Sequence, residues 1–119
     1  MNEFKSNVPI YIQVMEDIKM KIIRGTLKAG DKIVSVRELA LELGVNPNTI
    51  QRALSELERE GFLYTERAVG RYVSDNQELF LTYKESLIQK NIHDFIETMQ
   101  QIGIEYDDII NYLQKYKEV

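Results

Sequence analysis

The side chains with the most chemistry to offer are concentrated in one short segment. Asn46, Asn48, Thr49, Gln51, Arg52 and Ser55 bring amides, hydroxyls and a guanidinium close together in the chain, with Pro47 among them. If this stretch is a helix, successive residues turn by about 100°, so Ile50, Ala53, Leu54 and Leu57 gather on one side and the polar groups occupy the rest. A polar helical face of this kind can read the edges of base pairs. Arg52 has the fork geometry for O6 and N7 of guanine, and Gln51 can pair with an adenine edge. Asn48, Thr49 and the helix N-terminus can hold phosphates. The sequence does not divide base contacts from phosphate contacts among them, and Arg52 has the alternative of an i,i+4 ion pair with Glu56.

Other groups offer less. His93 has no cysteine or second histidine near it, so a structural or surface role is expected and no metal site. Asp107 and Asp108 are adjacent acids near the start of a helix, where they favour its dipole. Lys5, Lys28 and Lys32 are lysines of the kind that ordinarily face solvent. The chain has no cysteine, which removes disulfides, thiolate zinc sites and cysteine nucleophiles and suits a reducing cytoplasm, the expected location. There is no phosphate loop, zinc motif or nucleophile elbow, so neither an enzyme nor a cofactor is expected.

The elements that would position the polar segment follow from periodicity and punctuation. Ile10, Val14, Ile18 and Ile22 recur every four residues, widened by Tyr11 and Met15, until Arg24-Gly25 stops the helix. Residues 26–33 read as a loop or short strand. Ser35 and Glu38 have capping-box spacing, each expected to satisfy the other's free backbone N–H. The helix they open turns Val36, Leu39, Ala40 and Leu43 inward and ends at Gly44. Only Val45 separates it from Asn46, which can cap the next helix with Pro47 in its first position. Gly61 stops that helix. Phe62-Leu63-Tyr64-Thr65 and Arg71-Tyr72-Val73 then read as two strands with residues 66–70 as the hairpin tip.

Beyond Asp75 the pattern changes. Ile88, Ile92, Phe95, Met99 and Ile102 are spaced as in the seam of a helix-helix contact, Gly103 breaks the helix, and Tyr106, Ile109, Ile110, Leu113 and Tyr116 line a last short one. Two helices of this length do not cover both stripes alone. They are expected to form a helical hairpin that packs on the same hairpin of a second subunit, with Ile88, Ile92, Phe95, Met99, Ile102, Ile110 and Leu113 in the contact. The expected fold class is therefore mostly α with a small β-hairpin wing, in two parts: a winged helix-turn-helix over residues 1–75 and a two-helix dimerisation domain over 76–119.

Length and charge are compatible with this. A chain of 119 residues with 44% hydrophobic content can bury one good core but hardly two. The net charge of −4 is uneven, with 11 Lys+Arg against 11 Asp+Glu in residues 1–75 and 4 against 8 in the remainder. Screening over roughly 8–10 Å lets a local basic face bind phosphates on such a domain. No signal peptide is expected from Met1 to Val8, and no apolar run suits a membrane span.

Helix, helix, tight turn, helix and wing is an order that places one helix in the DNA major groove. The residues carry a resemblance as well. Pro9-Ile10-Tyr11-Ile12-Gln13, Ile23 to Asp31, Ser35-Val36-Arg37-Glu38-Leu39-Ala40, Val45 to Ala53, Leu57 to Gly61 and Gly70-Arg71-Tyr72-Val73 resemble the GntR family of bacterial regulators. The tail of about 45 residues is similar to that of its YtrA subfamily, whose short two-helix domain serves dimerisation. Ala29, Val34 and Ala68 depart from the family's usual Pro, Pro and Gly, and Ala68 bears on the shape of the wing tip.

The resemblance implies a set of DNA-contacting positions: Ser35 and Arg37 on the second helix; Asn46, Pro47, Asn48, Thr49, Gln51 and Arg52 on the third; Arg67, Gly70 and Arg71 on the wing. Arg71 has the alternative of decorating a strand. The partner so implied is double-stranded operator DNA with an inverted repeat, bound by a homodimer acting as a repressor, and members of this subfamily often control ABC-transporter operons. A small-molecule effector of unknown identity is a further expected partner, suggested by the aromatic residues of the tail. The rival reading, a winged helix that binds protein, calls for an apolar or acidic face where this chain has a polar one.

Overall fold

The computed structural model describes residues 3–117; residues 1, 2, 118 and 119, at the ends of the two expected domains, lie outside it. Five helices and one hairpin follow in the order α1 (Ile10–Ile23), α2 (Val36–Leu43), α3 (Pro47–Glu60), β1 (Leu63–Glu66), β2 (Gly70–Val73), α4 (Gln77–Gln101) and α5 (Tyr106–Lys117). They form two compact units that divide between Leu81 and Thr82. That is later than the expected boundary after Asp75. The reason is Phe80, which is buried in the first unit and stacks on Phe62 with ring centroids 5.6 Å apart.

In the first unit, α3 is the centre. Ile50, Ala53, Leu54 and Leu57 are at most 1% exposed, and α3 packs against α1, α2 and β1. From α1 come Val14, Met15, Ile18 and Ile22; from α2, Leu39, Ala40 and Leu43. Ile10, which belongs to the same four-residue series, is instead 43% exposed because it opens the helix beyond the edge of this core.

Local chemistry sets the ends of these helices. The Ser35 hydroxyl accepts a hydrogen bond from the Glu38 backbone N–H at 3.1 Å, as the capping-box spacing requires. The reciprocal half differs from expectation. The Glu38 carboxylate accepts from the Ser35 hydroxyl itself, at 3.3 Å. Gly44 takes the left-handed conformation, φ 68°, that ends α2. Two residues later the Asn46 side chain accepts from the Asn48 N–H at 2.8 Å and Pro47 occupies the first turn.

The hairpin is antiparallel, pairing Leu63 with Val73 and Glu66 with Gly70. Glu66 thus belongs to a strand and not to the tip. Phe62 precedes the strand, because its side chain is turned into the core and its backbone N–H caps α3 through the Leu57 carbonyl. A third backbone segment joins the sheet edge. Gly30 and Ile33 donate to the carbonyls of Val73 and Arg71, Val73 donates back to Asp31, and Lys32 bridges to Tyr72. The segment expected as a loop or short strand is therefore a short edge to the wing.

In the second unit, α4 and α5 are joined by a turn in which Ile104 and Ile102 both donate to the Met99 carbonyl. Ile102 falls just past the end of α4. Asp107 and Asp108 sit in the first turn of α5 and Lys115 and Lys117 in its last, each favourable to the helix dipole. Ile109 is buried, whereas Ile88, Ile92, Phe95, Ile102, Ile110 and Leu113 are between 42% and 68% exposed and Met99 is half-buried. No described helix is long and apolar enough to cross a membrane.

Ala68 adopts φ 66°, alone among the described non-glycine residues in the left-handed region. It is the third residue of the turn closed by the Val69 N–H on the Glu66 carbonyl, a position where glycine is favoured. Ala68→Gly is expected to raise stability by about 0.5–1 kcal/mol, read as a higher denaturant midpoint at unchanged slope. A lower midpoint would show that the turn does not hold Ala68 under strain.

Candidate nucleic-acid interface

The core face of α3 determines what its opposite face presents. With Ile50, Ala53, Leu54 and Leu57 inward, Asn48, Gln51, Arg52, Ser55 and Arg59 are exposed. Thr49 is half-buried at the flank and Pro47 is exposed at the helix start. Asn46 is committed through its side chain to capping, which leaves the outward face to the residues after it. The Gln51 amide donates to the Ser55 hydroxyl at 3.2 Å, a contact along the helix surface that a base edge can replace.

Arg52 does not make the ion pair open to it in the sequence. Glu56 is taken by Arg59, one turn further along, in an i,i+3 pair. The hydrogen bond from Arg59 holds the Glu56 carboxyl below the ordinary carboxylate range, with smaller electrostatic contributions from Arg59 and Arg52. The same contact raises the Arg59 guanidinium above its usual value. Arg52 instead lies over the ring of Tyr11, 3.8 Å from its centroid. Tyr11, expected to widen the apolar stripe of α1, is half-buried and serves that stripe only in part.

The side of α3 that faces the wing is closed by a different set. Glu58 accepts a hydrogen bond from the Thr65 hydroxyl at 2.7 Å and pairs with Nε of Arg71 at 3.3 Å. Arg71 is correspondingly withdrawn, its side chain 20% exposed. Of the two wing readings for Arg71, the free protein has the strand-bound one, with the guanidinium tying β2 to α3. Arg67 is exposed at the hairpin tip.

A groove of about 620 Å³ runs between the start of α2 and the wing, lined by Lys32, Val34, Ser35, Glu38, Val69, Gly70 and Arg71 among others. It brings Ser35 together with Gly70 and Arg71, whereas Arg37 and the polar residues of α3 are not among its lining; from α3 only the core residue Leu54 reaches it. Arg37 is exposed on the first turn of α2. Three residues that matter here were not legible as such in the sequence. Lys32, a lysine of the kind that ordinarily faces solvent, lines the groove. Glu58 carries no spacing signal toward the wing. Tyr11 stands out only as part of the segment Pro9 to Gln13, on which the family resemblance rests. In that segment the Gln13 amide donates to the carbonyls of Lys5 and Val8 and accepts from the Lys5 N–H, each at 2.8 Å, clamping the preceding strand of chain onto α1.

Helices α2 and α3 joined by a tight turn, with a polar α3 face and a hairpin beside it, form a winged helix-turn-helix. The model for "Bacterial regulatory proteins, gntR family" matches residues 10–73. The chain belongs to the GntR family. It is 36% identical over 112 residues to the transcriptional repressor YtrA of Bacillus subtilis, covering 93% of this chain and 86% of that one. A GntR family transcriptional regulator from Listeria monocytogenes has the same fold, with a TM-score of 0.81 at 39% identity, over 94% of this chain and 98% of that one. The DNA-binding domain of AraR, solved in complex with operator ORE1, matches 62% of this chain and 93% of its own at 32% identity and a TM-score of 0.55. This GntR protein is accordingly a DNA-binding transcriptional regulator with a helical C-terminal region.

Gly70 is the wing residue with the narrowest conformational choice. Its φ of 148° is rare for residues with a side chain, and an added Cβ would meet Lys32 Cε at 3.0 Å. The lysine end can swing aside, so backbone strain dominates. Gly70→Ala is expected to cost about 1–3 kcal/mol in thermal or denaturant unfolding, whereas an unchanged midpoint would mean the wing relaxes freely.

Proposed function

We propose that this GntR regulator is a repressor that binds an inverted-repeat operator as a homodimer in the cytoplasm. The observation that carries the reading is the outward face of α3, where Asn48, Gln51 and Arg52 are exposed and backed by a fully buried core face. A helix built this way delivers hydrogen-bonding groups to the major groove while its other side anchors it. Ser35, Arg37, Asn46, Pro47, Thr49, Arg67, Gly70 and Arg71 are assigned to positioning contacts around it, mostly with phosphate and sugar.

The second subunit is assigned to the exposed apolar residues of α4 and α5. Ile88, Ile92, Phe95, Ile110 and Leu113 are each more than two-fifths exposed in the single chain, and apolar surface at this density is stabilised by burial against an equivalent copy. Two-fold pairing places the recognition helices about one helical turn of DNA apart, near 34–36 Å. Occupancy of a promoter then excludes polymerase.

Three measurements test this. Selection from a random duplex library, with sedimentation of the complex at two salt concentrations, is expected to recover a two-fold symmetric sequence bound by two chains. Absence of enrichment at low salt would favour a protein-binding role. Arg52→Ala should keep the dimer and lose about 1–3 kcal/mol of discrimination at one base-pair position in each half-site. Phe95→Asp should give a folded monomer with operator affinity at least about tenfold weaker; a variant that stays dimeric would remove α4 from the subunit contact.

A further inference from the structure

We propose that Tyr11, on α1, is a positioning residue that sets how Arg52 approaches DNA, and is thus a determinant of operator specificity located off the recognition helix. This rests on the reading of Arg52 as a residue that contacts a base.

The geometry has three parts. The Arg52 guanidinium carbon lies 3.8 Å from the centroid of the Tyr11 ring. A cation held over an aromatic face uses the ring's negative quadrupole and leaves the N–H donors of the guanidinium, which radiate in its own plane, available to other acceptors. The competing acceptor is occupied. Glu56, at i+4 from Arg52, is held by Arg59, and among the described residues no hydrogen bond or ion pair engages Arg52. Its donors are therefore oriented without being consumed.

The ring is itself fixed. Tyr11 lies in the first turn of α1, whose rotation is set by the burial of Val14, Met15, Ile18 and Ile22. Just before it, the Gln13 side chain fastens the chain at Lys5 and Val8 onto the same turn. At the other end of α1, Lys19 pairs with Glu60 of α3 at 2.7 Å. The two helices are joined at both ends, and Tyr11 stands at the end where α3 presents Arg52.

A free arginine loses much rotamer freedom when it docks bidentately on a base. An arginine already confined over a ring loses less, and the remaining freedom favours one approach over others. Among the described residues no hydrogen bond, ion pair or ring contact joins Asn48 or Gln51 to α1, so the effect is expected to be local to the base pair that Arg52 governs.

The test uses the full chain, the duplex selected by the wild type, and each single base-pair variant of that duplex, with affinities measured by fluorescence anisotropy. Arg52→Ala should flatten the preference at one position. Tyr11→Phe, which keeps the ring, should match the wild type. Tyr11→Leu should lower the preference at that same position about 2- to 5-fold, leave the other positions unchanged, and add nothing to Arg52→Ala in the double variant. Thermal melting accompanies each protein, and Tyr11→Met carries the same readout if the leucine variant melts early. A loss spread evenly over all positions, an additive double variant, or an unchanged preference in Tyr11→Leu would overturn the positioning role while leaving Arg52 as a reader. If Arg52→Ala flattens no position, the reading of Arg52 and the role of Tyr11 fall together.

Discussion

Ile50, Ala53, Leu54 and Leu57 are almost wholly withdrawn from solvent, and the rest of the DNA-binding unit is arranged around that withdrawal. A helix rotates about its axis as one body, so fixing four residues inward also fixes the direction of every other side chain on it. The polar face of α3 owes its direction to the apolar one. This is why α1, α2 and β1, three elements from both sides of α3 in the sequence, all pack on the same helix. Burial on several sides resists the tilt and roll that would blur the placement of Asn48, Gln51 and Arg52. An arrangement with α3 packed on one neighbour would bury similar residues and leave that freedom in place.

The outward face is ordered by polar contacts of modest strength, arranged so that few of them compete. Asn46 is spent on the helix cap and Glu58 on Thr65 and Arg71, while Glu56 is taken by Arg59. Each carboxylate on α3 that could have captured an outward-facing donor has a partner elsewhere, including Glu60 on Lys19. Exposed ion pairs of this kind contribute little to stability. Their effect here is on direction: they set which cations remain available at the surface. Arg52 is left over an aromatic ring, whereas Arg71 is drawn onto α3.

The wing shows a different balance. Tyr64 and Tyr72 stack across the two strands with centroids 5.7 Å apart, and the edge formed by residues 30–33 adds backbone hydrogen bonds to β2. A two-stranded hairpin alone is marginal in water; a third segment and a ring pair compensate for its size. The tip between Glu66 and Gly70 carries Ala68 and Gly70 in unusual backbone conformations. Gly70 tolerates its conformation as a glycine, whereas Ala68 is held in its own by the strands behind the tip. In the second unit the opposite holds, since the end charges suit α5 locally while much of the apolar surface of α4 and α5 stays in solvent.

The helices of the DNA-binding unit, their caps, the polar face of α3 and the family resemblance were legible along the chain, because these depend on neighbours a few residues apart. Ser35, Gly44, Asn46, Pro47 and Gly61 each act on the nearest turn, and a 3.6-residue period needs no tertiary information. The long-range partner that each polar side chain takes came from the folded packing. Arg52 on Tyr11, Arg71 on Glu58, Phe80 on Phe62 and the edge at residues 30–33 join residues distant in the chain. Arg52 had Glu56 open to it along the helix, and the choice between that carboxylate and the Tyr11 ring fell to the backbone geometry that the core imposes. The same holds for the unit boundary, which falls just past the first turn of α4 because the ring of Phe80 packs on the buried Phe62.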